Sequence, residues 1–226
     1  MAGTSRLCAF VAAASLCVST PLRAQSERRI FAGALFGVST LSADGRAIVM
    51  SPEIALSMYK PENGITLNLL GGVHVADYFS VQGSYMWNRN DLTLVSSFTT
   101  SRVSGFYEQS RESSQHAVVA DGLVYFRRRD SRLRPYLGTG LSVVRFRSMA
   151  VDAVLNGLGP PAQEIRATNA ALRSHVGIDV ALSPGMVFRY SFSETIGGNP
   201  ISPHLSPQGE RRLANFQNLF GVLTRF

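Results

Sequence analysis

Residues 64–75 run Gly64-Ile65-Thr66-Leu67-Asn68-Leu69-Leu70-Gly71-Gly72-Val73-His74-Val75, and two faces alternate along them. Ile65, Leu67, Leu69, Gly71, Val73 and Val75 share one face. Thr66, Asn68, Leu70, Gly72 and His74 share the other. A period of two marks a β-strand, because successive side chains leave the pleat on opposite sides.

The next run repeats the pattern. Phe79, Val81, Gly83, Tyr85 and Trp87 oppose Ser80, Gln82, Ser84, Met86 and Asn88. So do two later runs. Leu172, Val176, Ile178, Val180 and Leu182 oppose Arg173, His175, Gly177, Asp179 and Ala181; Met186, Phe188, Tyr190 and Phe192 oppose Val187, Arg189, Ser191 and Ser193. One face carries aromatics and aliphatics, the other charge, hydroxyls and glycine. Four weaker strands are predicted at 29–41, 115–126, 135–146 and 213–226. In 135–146, Leu137, Leu141 and Val143 take the apolar face, and Tyr136, Gly138, Gly140 and Ser142 the other. The run 29–41 offers no clear phase.

The connectors between these eight strands alternate in length. Residues 42–63, 89–114, 147–171 and 193–212 are long; 76–78, 127–134 and 183–185 are short. Of ten prolines, eight fall in connectors, one near the N-terminus, and Pro135 opens a strand, where its missing N–H is tolerated. Asp77 and Ser183-Pro184-Gly185 are turn formers. A 12-residue strand is about 40 Å long and, tilted by about 40–45°, rises roughly 28–30 Å, enough for the ~25 Å apolar band of a membrane barrel. The expected fold is all-β: an eight-stranded antiparallel up-and-down transmembrane β-barrel with long outer loops and short periplasmic turns. Ile48-Val49-Met50 and Leu92-Thr93-Leu94-Val95 are expected to extend the ladder beyond the membrane. Alternation alone does not distinguish inside from outside. A soluble lipocalin-like barrel would pack Phe188, Tyr190 and Ile178 inward and leave Arg189 and Asp179 in water. The long–short rhythm favours the membrane.

Residues 1–24 read as a cleaved signal peptide: Arg6, an apolar stretch over 7–18, Pro21, then Leu22-Arg23-Ala24 before the expected cut. The stretch is too short to span a bilayer as a helix, and no run of about 18 apolar residues follows it. Membrane residence must then be by barrel, the other structure that pairs every backbone group in hydrocarbon. The barrel would occupy 25–226. Cys8 and Cys17 both lie in the signal, so the mature chain has no disulfide.

The formal charge is +7, with one lysine, Lys60; without Arg6 and Arg23 it is +5 (7 − 2). Arginines spread along an exported chain argue against nucleic acid and toward outer-membrane lipid and anionic lipopolysaccharide, since guanidinium forks pair with phosphate. No GxxxxGK[ST] loop and no Cys/His cluster occurs, so neither a cofactor nor a metal is expected.

The closing run Asn215-Phe216-Gln217-Asn218-Leu219-Phe220-Gly221-Val222-Leu223-Thr224-Arg225-Phe226, with Arg134-Pro135-Tyr136-Leu137-Gly138-Thr139-Gly140-Leu141, resembles the small OmpA/OmpX-type outer-membrane barrel domains. The resemblance implies residence in the outer membrane of a Gram-negative bacterium. It also implies that the outer-membrane assembly machinery reads Phe220, Val222 and Phe226 as a terminal signature.

In this fold Asp121, Arg173, His175, Asp179, Arg189 and Glu194 are expected to line the lumen, which in an eight-stranded barrel is just wide enough for side chains to fill. Buried opposite charges should pair, and Arg173 and Asp179, six residues apart, must do so across strands, for example with Arg189. Tyr78, Phe79, Tyr85, Trp87, Phe188 and Tyr190 are expected in the aromatic girdle. Arg102, Arg111, Arg147, Arg166 and Arg211 are candidates for lipid phosphates. Ser114 with His116, and His204 between Ser202 and Ser206, are the nearest thing to a catalytic set. They form no recognisable triad order, so no catalytic residue and no enzyme activity are expected. A structural, adhesion or surface-interaction role, with a plugged lumen and a monomeric state, leads over a narrow solute channel and over a lipid A-modifying enzyme.

Overall fold

The computed structural model describes residues 29–42, 47–50, 54–159 and 163–226. The expected signal peptide, residues 1–24, lies outside the described residues. Eleven strands form one antiparallel sheet: β1 (Ile30–Leu41), β2 (Ala47–Val49), β3 (Ile54–Pro61), β4 (Gly64–His74), β5 (Phe79–Arg89), β6 (Leu92–Thr99), β7 (Ser104–Tyr125), β8 (Leu133–Asn156), β9 (Glu164–Ala181), β10 (Met186–Gly198) and β11 (Arg212–Arg225). Eight of them close a ring, β1-β4-β5-β7-β8-β9-β10-β11, sealed where β1 pairs β11. Each of the eight predicted strands lies in one member of this ring.

The register fixes the ring's shape. From Thr40, register partners lead through Phe216, Glu194, Ser174, Thr139, Gly122, Val81 and Val73 back to β1 at Ile30, a stagger of 40 − 30 = 10 residues. With ~3.3 Å per residue against eight spacings of ~4.8 Å, the strands tilt by about 40°, inside the usual barrel range. No helix among the described residues is long and apolar enough to cross a membrane.

Burial decides which face is which. Ile65, Leu67, Leu69 and Val73 on β4, Val81 and Tyr85 on β5, and Phe188 and Tyr190 on β10 are exposed. Thr66, Asn68, Gln82, Asp179 and Arg189 are enclosed. The lipocalin-like alternative requires the reverse. On β1, Phe31, Leu35, Ser39 and Leu41 turn in while Phe36 and Val38 turn out. Both of its faces are apolar or small, which is why its phase is illegible in the sequence. The sealing seam also needs small residues: a Cβ on Gly37 would sit 1.8 Å from the Asn218 carbonyl oxygen.

Beyond the ring the wall continues outward. β7, β8 and β9 are longer than the alternation predicted, reaching Ser104, Asn156 and Glu164 where loops were expected. There Glu108, Ser110 and Glu112 face out and Tyr107, Gln109 and Arg111 face in. Above the lipid neither face must be apolar, so the pattern that betrays a membrane strand fades while the ladder persists. Ile48-Val49 and Leu92–Val95 do form ladder, in β2 and β6. Arg89 pairs Ser114 and Leu92 pairs Arg111, so β6 continues β5 on β7 without a slip.

Candidate functional site: the filled lumen and the outer surface

The lumen floor is a hydrogen-bonded charge network. Arg189 donates to Asp179 from Nε at 2.6 Å and Nη2 at 2.7 Å, and Tyr125 donates to the same carboxylate at 3.0 Å. Arg189 also reaches Gln82 Oε1 at 2.9 Å. Gln82 passes a bond to Asp121 at 3.1 Å, and Asp121 accepts from Arg173 at 2.9 Å. His175 Nε2 lies 3.8 Å from the same carboxylate oxygen. Asp121, Asp179, Arg173 and Arg189 are each buried. Strands β5, β7, β9 and β10 converge here because inward parity puts one polar group from each at a shared level. Buried charge of this kind persists only when paired and hydrogen-bonded.

Arg134, expected in the short connector 127–134, adds a further buried cation. It is 0% exposed, stacks 3.8 Å over the Tyr125 ring and donates to the Asp77 carbonyl at 3.0 Å. Arg189 lies 4.8 Å over the Tyr136 ring. Extending the inward phase of Tyr136 by two residues would have found Arg134.

The outer mouth is closed differently. The segment 199–207 turns inward, and Ile201 and Leu205 join Leu41, Tyr59, Leu92, Leu94, Tyr107 and Phe146 in an apolar cluster. Asn199 holds the turn: its Oδ1 accepts from the amides of Ile201 (3.0 Å) and Ser202 (3.2 Å), and its Nδ2 donates to the Glu210 carbonyl (2.9 Å). Ser96 Oγ donates to the Ser206 carbonyl at 2.8 Å, and Ser57 Oγ to that of Pro207. No sequence signal announced this cap, since its two apolar anchors sit singly among prolines and serines.

Two expectations need correction. Glu194 does not face the lumen. Arg189, Ser191, Ser193 and Thr195 point inward, so Glu194 shares the outward face with Phe192 and Ile196. Arg111 is not an outer-surface cation: it is 1% exposed and donates to Ser148 Oγ (2.9 Å), Gln109 (2.5 Å) and the Gln163 carbonyl (3.3 Å). Arg102, Arg147, Arg166 and Arg211 are exposed.

Tyr78, Phe79, Tyr85, Phe188 and Tyr190 lie on the outer wall, with Trp87 half-buried beside them. Phe220, Val222 and Phe226 also face outward. His116 bonds Tyr85 OH through Nδ1 at 2.6 Å, not a serine, and His204 is exposed in the turn Ser202–His204. Glu164 bridges Arg166 (2.6 Å) and Arg147 (2.7 Å), and the bond from Arg166, then that from Arg147, holds its carboxyl below the usual range.

A ring of eight tilted antiparallel strands, greasy outside and charged inside, is a small outer-membrane β-barrel. Residues 8–217 match the outer membrane protein beta-barrel domain family, and the chain belongs to it. Its localisation is therefore the outer membrane. The crystal structure of Neisserial surface protein A is similar at a TM-score of 0.51 and 15% identity, covering 87% of this chain and 97% of that one. Ail, the attachment invasion locus protein of Yersinia pestis, is similar at 0.50 and 13%, covering 88% and 99%. At these identities the likeness is one of fold. Comparison with curated proteins finds no match.

Proposed function

We propose that the chain is a non-conducting surface barrel, structural or adhesive in role, which acts through the sheet it raises above the membrane rather than through its lumen. The observation that carries this is the double closure. The Arg189–Asp179–Tyr125–Gln82 network fills the floor, and the turned-in segment 199–207 caps the outer mouth. In this reading residues 1–24 are removed on export, the assembly machinery reads Phe220, Val222 and Phe226, and the folded barrel is a monomer. Neighbours of this fold include one described as a surface protein and one as an attachment invasion locus protein.

Planar-bilayer recording of the purified protein tests it. The expected trace carries no discrete conductance steps, and Arg189→Ala/Asp179→Ala is expected to introduce them. Steps from the unaltered protein would restore the reading as a narrow solute channel.

A further inference from the structure

On four neighbouring strands of the ring the outward apolar run breaks at one level. On β5, Tyr85 and Trp87 give way to Arg89; on β7, Val118 gives way to His116; on β8, Val143 gives way to Arg145 and Arg147; on β9, Leu172 gives way to Thr168 and Arg166. Register sets them side by side: Trp87 pairs His116, His116 pairs Arg145 and Arg145 pairs Thr168. This is where acyl chains end and headgroups begin.

A groove of about 640 Å³ opens on the wall there. Tyr85, His116, Val118, Val143, Arg145 and Arg166 line it. Its floor is apolar and its rim cationic. Arg145 is exposed and makes no hydrogen bond or ion pair within the protein, unlike the other arginines of this level. Arg89 is paired to Glu112 at 3.1 Å and lies near Asp91, so it adds no net positive charge. Arg166 uses Nε on Glu164 and also lines the groove. With Arg147 and Glu164 included, the rim carries a net charge of +2 (three arginines, one glutamate).

We propose that this groove binds a phosphorylated glycolipid headgroup of the outer leaflet, the lipid A of lipopolysaccharide. Arg145 and Arg166 grip one phosphate, and an acyl chain lies over Val118 and Val143. Charge complementarity at the headgroup level, together with the apolar floor leading into the hydrocarbon, selects an anchored amphiphile over a free anion. The site stands whether or not the lumen conducts.

Native mass spectrometry of the full protein in detergent, titrated with bis-phosphorylated lipid A, tests this. Wild type is expected to hold one lipid A. Arg145→Gln/Arg166→Gln should weaken it about tenfold, the loss of two charge-assisted contacts. Arg145→Gln alone, which breaks no bond within the protein, should weaken it about threefold. Lipid A stripped of phosphate should bind wild type no better than intact lipid A binds the double variant, and Arg102→Gln/Arg211→Gln should bind like wild type. Equal binding by wild type and both groove variants overturns the proposal, as does equal binding of the phosphate-free lipid. Displacement by millimolar inorganic phosphate would overturn the lipid assignment in favour of a free anion.

Discussion

Asp179→Ala is the sharpest probe of the lumen. The substitution removes both acceptors of the Arg189 fork, at 2.6 and 2.7 Å, and the acceptor for Tyr125 at 3.0 Å. Arg189 is left 1% exposed, with Gln82 and the Tyr125 hydroxyl as its remaining hydrogen-bond partners. Leaving a charge buried without its counter-ion costs about 3–5 kcal/mol. Arg189→Leu alone strands Asp179 and should cost a similar amount. The pair replaced together, Asp179→Leu/Arg189→Leu, leaves no orphan, and exchanging a buried ion pair for apolar groups is often close to neutral. The coupling between the two sites should therefore be at least about 2 kcal/mol. Urea unfolding in phospholipid vesicles measures it, with Trp87 emission and the heat-sensitive gel mobility of the folded barrel as independent readouts. An Asp179→Ala cost under about 1 kcal/mol, or costs that simply add in the double variant, would refute the claim that this pair is dry and mutually dependent.

Three further outcomes are expected. Glu194→Leu should leave stability in lipid unchanged or raise it by up to about 1 kcal/mol, because Glu194 faces out, whereas Asp121→Leu should destabilise by roughly 3 kcal/mol, because it orphans Arg173; the same urea assay ranks them, and the opposite order would reverse the assigned parity. Asn199→Ala should release the turned-in segment, seen as faster protease cleavage within 199–211 of intact vesicle-inserted protein, with the barrel's gel mobility unchanged. Glu164, held down by Arg166 and Arg147, should titrate below the free glutamate range by carbon-detected NMR, and Arg166→Gln should move it up; since the folded value is the lower one, the bridge is intact above the ordinary glutamate range and is lost as pH falls through that lowered value.

How much of this was legible depended on where water and lipid impose opposite demands. Along 64–75 and 79–88, one face meets acyl chains and the other a packed lumen, so side chains sort cleanly by parity. β1 escapes because its inward Phe31 and Leu35 are as apolar as its outward Phe36 and Val38. The outer halves of β7, β8 and β9 escape because no hydrocarbon sorts them. The charge of Glu194 suggests the lumen, but parity counted from Arg189 puts it on the outward face. Arg134 is hard to read because the arginine-rich stretch 127–134 resembles a solvated turn, although its last member is already in the wall. The Asp121–Arg173 and Asp179–Arg189 partnerships are set by register between strands, which no single strand encodes.

The wall closes on itself, among the described residues, only over the eight-strand ring. Among the described residues, β2 has a neighbour on one side, β3, and β9 above Ala171 pairs only with β8. The protruding stub, among the described residues, therefore ends in two margins without a further strand partner, the kind of edge to which another extended chain can add. On the β9 margin, Arg166 and Glu164 stand as charged guards of the kind that discourage such zippering. The β2 margin carries Ile48 and Val49, both exposed, and is the place where a second polypeptide would find the least resistance to adding a strand.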